Sequence, residues 1–220
     1  MLANSMMAME SAGPMILGFH FDIFLMIASG VFYVLCALFV WNSYRKEKNE
    51  LVGALLAFLV YQAMSMMLMG LGMSTMNMMY MNLASLAILI GSVYMLKFPF
   101  SSFSKGTRNA VFMISLIAVL AAFLWFMQTV ELQTKLEHAI LWYDLVVNGV
   151  VVGGFMIMLG LRTAERWLKV KALGGGTGVV ACCVAANTAM IGGAFLTSSV
   201  FAFLAPVIIL SSLVIAKSRS

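Results

Sequence analysis

The sequence predicts an all-α membrane protein, a bundle of seven transmembrane helices with its N-terminus outside and its C-terminus inside. Composition is the first observation behind this fold class. The chain of 220 residues is 63% hydrophobic and only 10% charged, whereas a soluble domain is about 25% charged. The second observation is a series of seven apolar segments, each near the roughly 20 residues that a helix needs to cross the hydrocarbon core.

These segments divide the chain into spans, short external turns and longer cytoplasmic connections. The predicted spans are residues 16–42, 51–74, 78–97, 109–130, 138–161, 176–196 and 199–216. Short turns after the second and sixth spans predict two antiparallel hairpins. The parts are therefore an external N-terminal segment, 1–15, a seven-helix domain, 16–216, and a cytoplasmic tail, 217–220. The longest connections, 98–108 and 162–175, are too short to hold a soluble catalytic domain.

Basic residues determine the predicted orientation. Of the 13 Lys and Arg residues, all except Lys135 fall on one side of the seven segments. Positive charge favours the cytoplasmic side, so this side is predicted to lie inside. The same assignment leaves four acidic residues outside, namely Glu10, Asp22, Glu131 and Glu137. The net charge of +5 is then explained by basic residues in the loops, which determine the topology. We therefore expect no nucleic-acid partner.

Small residues predict two features of the second half of the chain. Gly149 and Gly153 on the fifth span have the spacing at which helix backbones approach closely. Packing within the bundle is favoured, with a dimer interface as the alternative. The glycine-rich run 174–178 lacks the following lysine and the preceding strand of a phosphate-binding loop. We interpret this run as a flexible connection between helices.

The cysteines are all inside predicted spans. Cys36, Cys182 and Cys183 are therefore not placed where an oxidising exterior would form a disulfide framework. We expect them to be small buried residues.

Methionine is the outlier in composition, with 21 residues. Several crowd the outer part of the hairpin of the second and third spans, and Met66, Met69 and Met73 share one helix face by their i, i+3, i+7 spacing. Thioether sulfur is a soft ligand that suits Cu(I). The sequence thus predicts a copper site with six candidate thioether ligands, Met66, Met69, Met73, Met76, Met78 and Met81. The alternative is that these residues are flexible apolar filler.

Three further polar residues lie at the same outer level. His20 and Asp22 are at the outer end of the first span, and His138 is at the outer end of the fifth. His20, His138 and Asp22 could complete the copper site. Alternatively, His20 and His138 could be the two axial ligands of a haem b between helices. In the simplest interpretation they are interfacial residues bonded to backbone or water.

Asp144 and Asn148 are predicted inside the membrane, where ionisable residues are costly and mark functional sites by default. Their i, i+4 spacing places them on one helix face. This face is expected to point inward, because hydrocarbon offers neither residue a partner. The hypothesis is an internal polar pocket that opens outward, serving either as a proton or cation site or as a structural contact.

The function predicted from these patterns is non-catalytic. We expect a copper-handling protein that takes up, delivers or senses the metal at an outward-facing Met/His/Asp site, in the cytoplasmic membrane. The alternatives are an accessory or anchoring subunit of a larger membrane complex and a seven-helix receptor that signals through a partner. Copper, haem b or no cofactor is compatible with these functions. The expected partners are the lipid bilayer and either other membrane subunits or further copies of the chain.

Overall fold

The structure of the protein is a computed structural model that describes residues 15–16, 19–128, 135, 139, 142–192 and 195–217. Two short antiparallel strands, β1 (Met15–Ile16) and β2 (Phe19–His20), precede the first helix. The helices are α1 (Phe21–Glu47), α2 (Glu50–Thr75), α3 (Met78–Met95), α4 (Lys105–Phe126), α5 (π-helical Asp144–Gly153 continuing as α-helical Gly154–Arg162), α6 (Arg166–Gly192) and α7 (Phe195–Lys217). A short 3-10 helix, Pro99–Ser102, joins α3 to α4.

The helical fold class predicted from the sequence is confirmed. Within the described residues, seven helices are long and apolar enough to cross a membrane. In the first half of the chain, two of these helices start at a different residue from the predicted span by more than one position. α1 begins at Phe21 instead of residue 16, because residues 15–16 and 19–20 pair as strands. α4 begins at Lys105 instead of residue 109, because the side chain of Ser104 caps it by accepting a hydrogen bond from the backbone nitrogen of Thr107 over 3.2 Å.

The prediction of a flexible glycine connection at 174–178 is wrong, because these residues lie inside α6. The glycines allow neighbouring helices to approach closely. A Cβ atom on Gly174 would overlap Ser212 of α7, and one on Gly176 would lie 2.8 Å from the carbonyl oxygen of Gly153 on α5. α6 begins at Arg166, whereas the sixth span was predicted to start at residue 176.

Six of the described helices form a closed ring. α2 packs between α1 and α3, α7 packs between α1 and α6, and α5 packs on α6. Contacts between α5 and α3 complete the ring. There the side-chain nitrogen of Asn148 donates a hydrogen bond to the hydroxyl of Ser92 over 2.5 Å. α4 lies outside the ring against α3, and none of the residues in its apolar span is buried.

The main core lies inside the ring. Its large buried side chains include Tyr33, Phe58 and Met95, and Cys36, Cys182 and Cys183 belong to the same buried cluster. All three cysteines are buried, as the sequence predicts, and none is in a disulfide. The end of the bundle with the α2–α3 turn is called the outer end, after the orientation predicted from the basic residues. The opposite end, where α1 ends and α2 begins, is called the basic end.

Candidate functional site

The α2–α3 turn is formed by two residues between two capped helices. Met76 directly follows α2 and caps it in the left-handed conformation, with a φ of 51°. The backbone nitrogen of Met76 donates a hydrogen bond to the carbonyl oxygen of Gly72. Asn77 directly precedes α3 and caps its start, because its side-chain oxygen accepts a hydrogen bond from the backbone nitrogen of Met79 over 2.9 Å. The outer ends of both helices are thus held together by a turn of fixed geometry.

Met81 reaches across this hairpin to Gly72. A Cβ atom on Gly72 would lie 2.7 Å from Cγ of Met81 and 3.2 Å from its backbone nitrogen. Met69, three residues before Gly72, lies on the same face of α2. Met73 directly follows Gly72 and lies about 100° further around the helix. The fold therefore brings Met81 of α3 next to the turn of α2 that carries Met69 and Met73.

Exposure divides the candidate methionines into three levels. Met66 is buried, at 8% exposure, and belongs to the main core one turn deeper than Met69. Met69, Met73 and Met81 are half-buried at the hairpin. Two residues face away from the protein interior, Met76 at 70% exposure and Met78 at 36%. Met69, Met73 and Met81 are neither buried nor fully exposed and lie on the two helices that the turn joins, so they form the candidate site and are called the thioether group.

The start of α1 lies at the same level as the thioether group. A Cβ atom on Gly70 would lie 2.8 Å from the side chain of Ile27 and 3.8 Å from the carbonyl oxygen of Ile23. Asp22 precedes Ile23 and is only 4% exposed, and its carboxylate accepts a hydrogen bond from the backbone nitrogen of Ile23 over 2.9 Å. A buried carboxyl group thus lies on the helix next to the candidate site.

His20 pairs with Met15 in the two-stranded ladder and immediately precedes α1. Its Nδ1 atom is buried and has no hydrogen-bond partner among the described residues. His138 lies outside the described residues, so the structure does not place the predicted pair of haem ligands. No three His, Cys, Asp or Glu side chains in the described part of the chain are grouped so as to hold a metal ion.

Asn148 faces the interior, as the sequence predicts, and is fully buried. Its hydrogen bond to Ser92 continues along α3, because the hydroxyl of Ser92 donates to the carbonyl oxygen of Ile88 over 2.8 Å. Asn148 also lies within a π-helical stretch, which the sequence did not indicate. The side chain of Asp144 lies outside the described residues. The hydrogen bond from Asn148 to Ser92 thus joins α5 to α3.

Sequence reasoning missed a second polar contact inside the ring. Gln62 of α2 is 2% exposed, and its side-chain oxygen lies 3.9 Å from the sulfur of Cys182 on α6. The fully buried phenol of Tyr33 on α1 also faces Cys182. The inward orientation of Gln62 could have been predicted, since an amide in an otherwise apolar span is expected to face other helices. The contact with Cys182 could not be inferred, because the two residues are 120 positions apart.

No protein family, curated protein or solved structure matches this chain.

Proposed function

We propose that the protein binds Cu(I) through the thioether group, Met69, Met73 and Met81, at the outer end of the α2–α3 hairpin. The observation that carries the proposal is the packing of Met81 of α3 on Gly72 of α2, three residues after Met69 and directly before Met73. Three neutral sulfur ligands from two helices would make a soft site, which selects Cu(I) over harder cations. Thioethers need no deprotonation, so binding would not require the loss of a proton from the ligands.

The surroundings support a monovalent cation at this position. The carboxylate of Asp22 is buried on the adjacent helix at the same level and would offset a positive charge there. The exposed Met76 and Met78 would offer transient sulfur contacts between the surroundings and the half-buried group. The protein would take up, deliver or sense copper with the outer end as its binding face.

Replacement of ligands without loss of hydrophobic volume tests the proposal. The variant Met69→Leu/Met73→Leu keeps the size and apolar character of both side chains. The matched control is Met113→Leu/Met158→Leu, which replaces two exposed methionines on other helices. The purified full chain is titrated with Cu(I) under anaerobic, reducing conditions against a chromophoric Cu(I) chelator.

We expect the Met69→Leu/Met73→Leu variant to bind Cu(I) at least about tenfold more weakly than the unmodified chain, while the control binds normally. Unchanged affinity and stoichiometry in the Met69→Leu/Met73→Leu variant would refute the proposal and leave hydrophobic packing as the role of these methionines.

A second candidate function is that of a subunit in a larger membrane complex, and the position of α4 favours it. No residue in its apolar span is buried, and its exposed side chains include Ile114, Ile117 and Leu124. A photoreactive amino acid at residue 117 should then crosslink in cells to a protein of defined mass. The same probe at Val214, an exposed position on α7, is the control. Crosslinks to lipid alone at residue 117 would contradict a subunit role for α4.

A further inference from the structure

A groove of about 610 Å³ lies at the basic end, on the outside of the ring. It follows the first half of α2 and is bordered by the end of α1 and the end of α3. The floor is apolar and is formed by Leu56, Ala57, Val60 and Met64. The volume lies in the range of small-molecule binding sites.

Tyrosine rings form the walls of this groove. Tyr44 of α1 lies against Gly53 of α2, where a Cβ atom would come within 3.0 Å of its ring. Tyr61 and Tyr94 stack on each other, with ring centroids 5.9 Å apart and an angle of 24° between the planes. Such side chains present an apolar body to a hydrocarbon chain and a polar tip to the membrane surface.

The mouth of the groove carries more positive than negative charge. Lys97 and Glu50 both line it, and the Lys97 nitrogen lies 3.3 Å from one carboxylate oxygen of Glu50. Arg108 at the start of α4 bonds to the other carboxylate oxygen. Two cations thus share one carboxylate, which leaves a surplus of one positive charge. The Lys97 nitrogen is also held 4.7 Å from the ring centre of Phe112, so its position at the mouth is well defined.

We propose that this groove binds an anionic phospholipid, with an acyl chain on the apolar floor and the phosphate at Lys97. Charge complementarity favours this occupant, because the lipid headgroup supplies the negative charge that the cluster of Glu50, Lys97 and Arg108 lacks. Basic recesses between transmembrane helices on the cytoplasmic side are a recurrent type of site for anionic headgroups. A helix from another protein would need its own carboxylate at this position. The proposal is independent of copper binding at the outer end.

Native mass spectrometry of the full chain tests this inference. The detergent-solubilised protein is equilibrated with dioleoyl phosphatidylglycerol or with dioleoyl phosphatidylcholine, and retained lipid is measured as a function of lipid concentration. We expect the anionic lipid to bind about fivefold more tightly, as one additional cation near the headgroup implies. Lys97→Gln should abolish this preference. Lys105→Gln, which removes the same charge from an exposed side chain of the neighbouring helix, should preserve it.

Two further variants separate lipid binding from a loss of folding. Lys97→Arg keeps the charge and should retain the preference for phosphatidylglycerol. Val60→Trp fills the floor without changing charge and should weaken retention of both lipids. Equal binding of the two lipids by the unmodified chain would overturn the proposal. An effect of Lys97→Gln no larger than that of Lys105→Gln would overturn it too, as would a polypeptide that co-purifies with the protein and is displaced by Val60→Trp.

Discussion

Ser29 donates a hydrogen bond to the carbonyl oxygen of Ala202 over 2.8 Å and so joins α1 to α7. This carbonyl is four residues before Pro206, which lies inside α7. Proline has no backbone N–H, so Ala202 lacks its normal helical partner. In an apolar interior an unpaired carbonyl is costly, and a side chain from a neighbouring helix can satisfy it. The hydroxyl of Ser29 thus compensates for the proline in α7.

We expect Ser29→Ala to lower the free energy of unfolding by about 0.6–2 kcal/mol, the range for hydrogen bonds between membrane helices. In a Pro206→Ala background the loss should be smaller, because residue 206 then donates its own N–H to the Ala202 carbonyl. Unfolding in a detergent titration, followed by far-UV circular dichroism, measures both differences. Ser211→Ala, at an exposed position of α7, is the control. Equal effects of Ser29→Ala in both backgrounds would contradict the compensation.

Two glycine replacements should have opposite effects on stability. A Cβ atom on Gly176 would lie 2.8 Å from both the Gly153 carbonyl oxygen and the Ile157 side chain, whereas one on Gly154 would meet nothing within 4 Å. We expect Gly176→Ala to cost about 1–3 kcal/mol by overpacking. Gly154→Ala should stabilise by up to about 1 kcal/mol, because alanine has the higher helix propensity. Thermal unfolding in detergent measures the difference, and a neutral or stabilising Gly176→Ala would instead fit a flexible connection.

The glycine run shows why part of the fold could not be predicted from the sequence. Glycines at 174–178 favour a loop by their local conformational freedom, yet they also favour close packing of membrane helices. The choice depends on what faces them, here Gly153 of α5 and Ser212 of α7. Both partners are distant in sequence. The spans themselves were predictable, because their length and apolar composition are local properties.

The outer hairpin was more accessible to prediction. The polar residues around Asn77 interrupt two apolar runs, and they indicate a turn that brings the methionines on either side together. The structure has this turn, and Met81 packs on Gly72 across it. The burial of Met66 in the main core could not be foreseen, since helical spacing alone gives it the same face as Met69.

Asn148→Leu should destabilise the closed ring of helices. The replacement removes the hydrogen bond to Ser92, which is the side-chain contact that joins α5 to α3 at this position. We expect a loss of about 0.6–2 kcal/mol in the free energy of unfolding. Val150 on the same helix is 65% exposed, so Val150→Leu should leave the free energy of unfolding nearly unchanged. Equal stability of the two variants in a detergent titration would show that the Asn148–Ser92 bond contributes nothing measurable.

Gly72→Ala should weaken Cu(I) binding without removing any sulfur. The added methyl group would lie 2.7 Å from Cγ of Met81, so Met81 must move away from the level of Met69 and Met73. Loss of positioning around a metal site typically costs about tenfold or more in affinity. Gly53→Ala, which crowds Tyr44 at the basic end by a contact of 3.0 Å, is a matched glycine control. Competition with a Cu(I) chelator measures the affinity, and an unchanged value in Gly72→Ala would argue against Met81 as a ligand.

The orientation predicted from the basic residues can be tested with a single added cysteine. The native cysteines among the described residues, Cys36, Cys182 and Cys183, are all buried, so an impermeant thiol reagent should leave them unmodified in the folded protein. We expect Ser220→Cys to be labelled only after the cells are lysed, because the basic residues favour a cytoplasmic location for the end of the bundle that carries residue 220. Asn77→Cys in the α2–α3 turn is exposed and should be labelled in intact cells. The reverse pattern would place the thioether group on the cytoplasmic side, and the proposed role in copper uptake from outside would then be wrong.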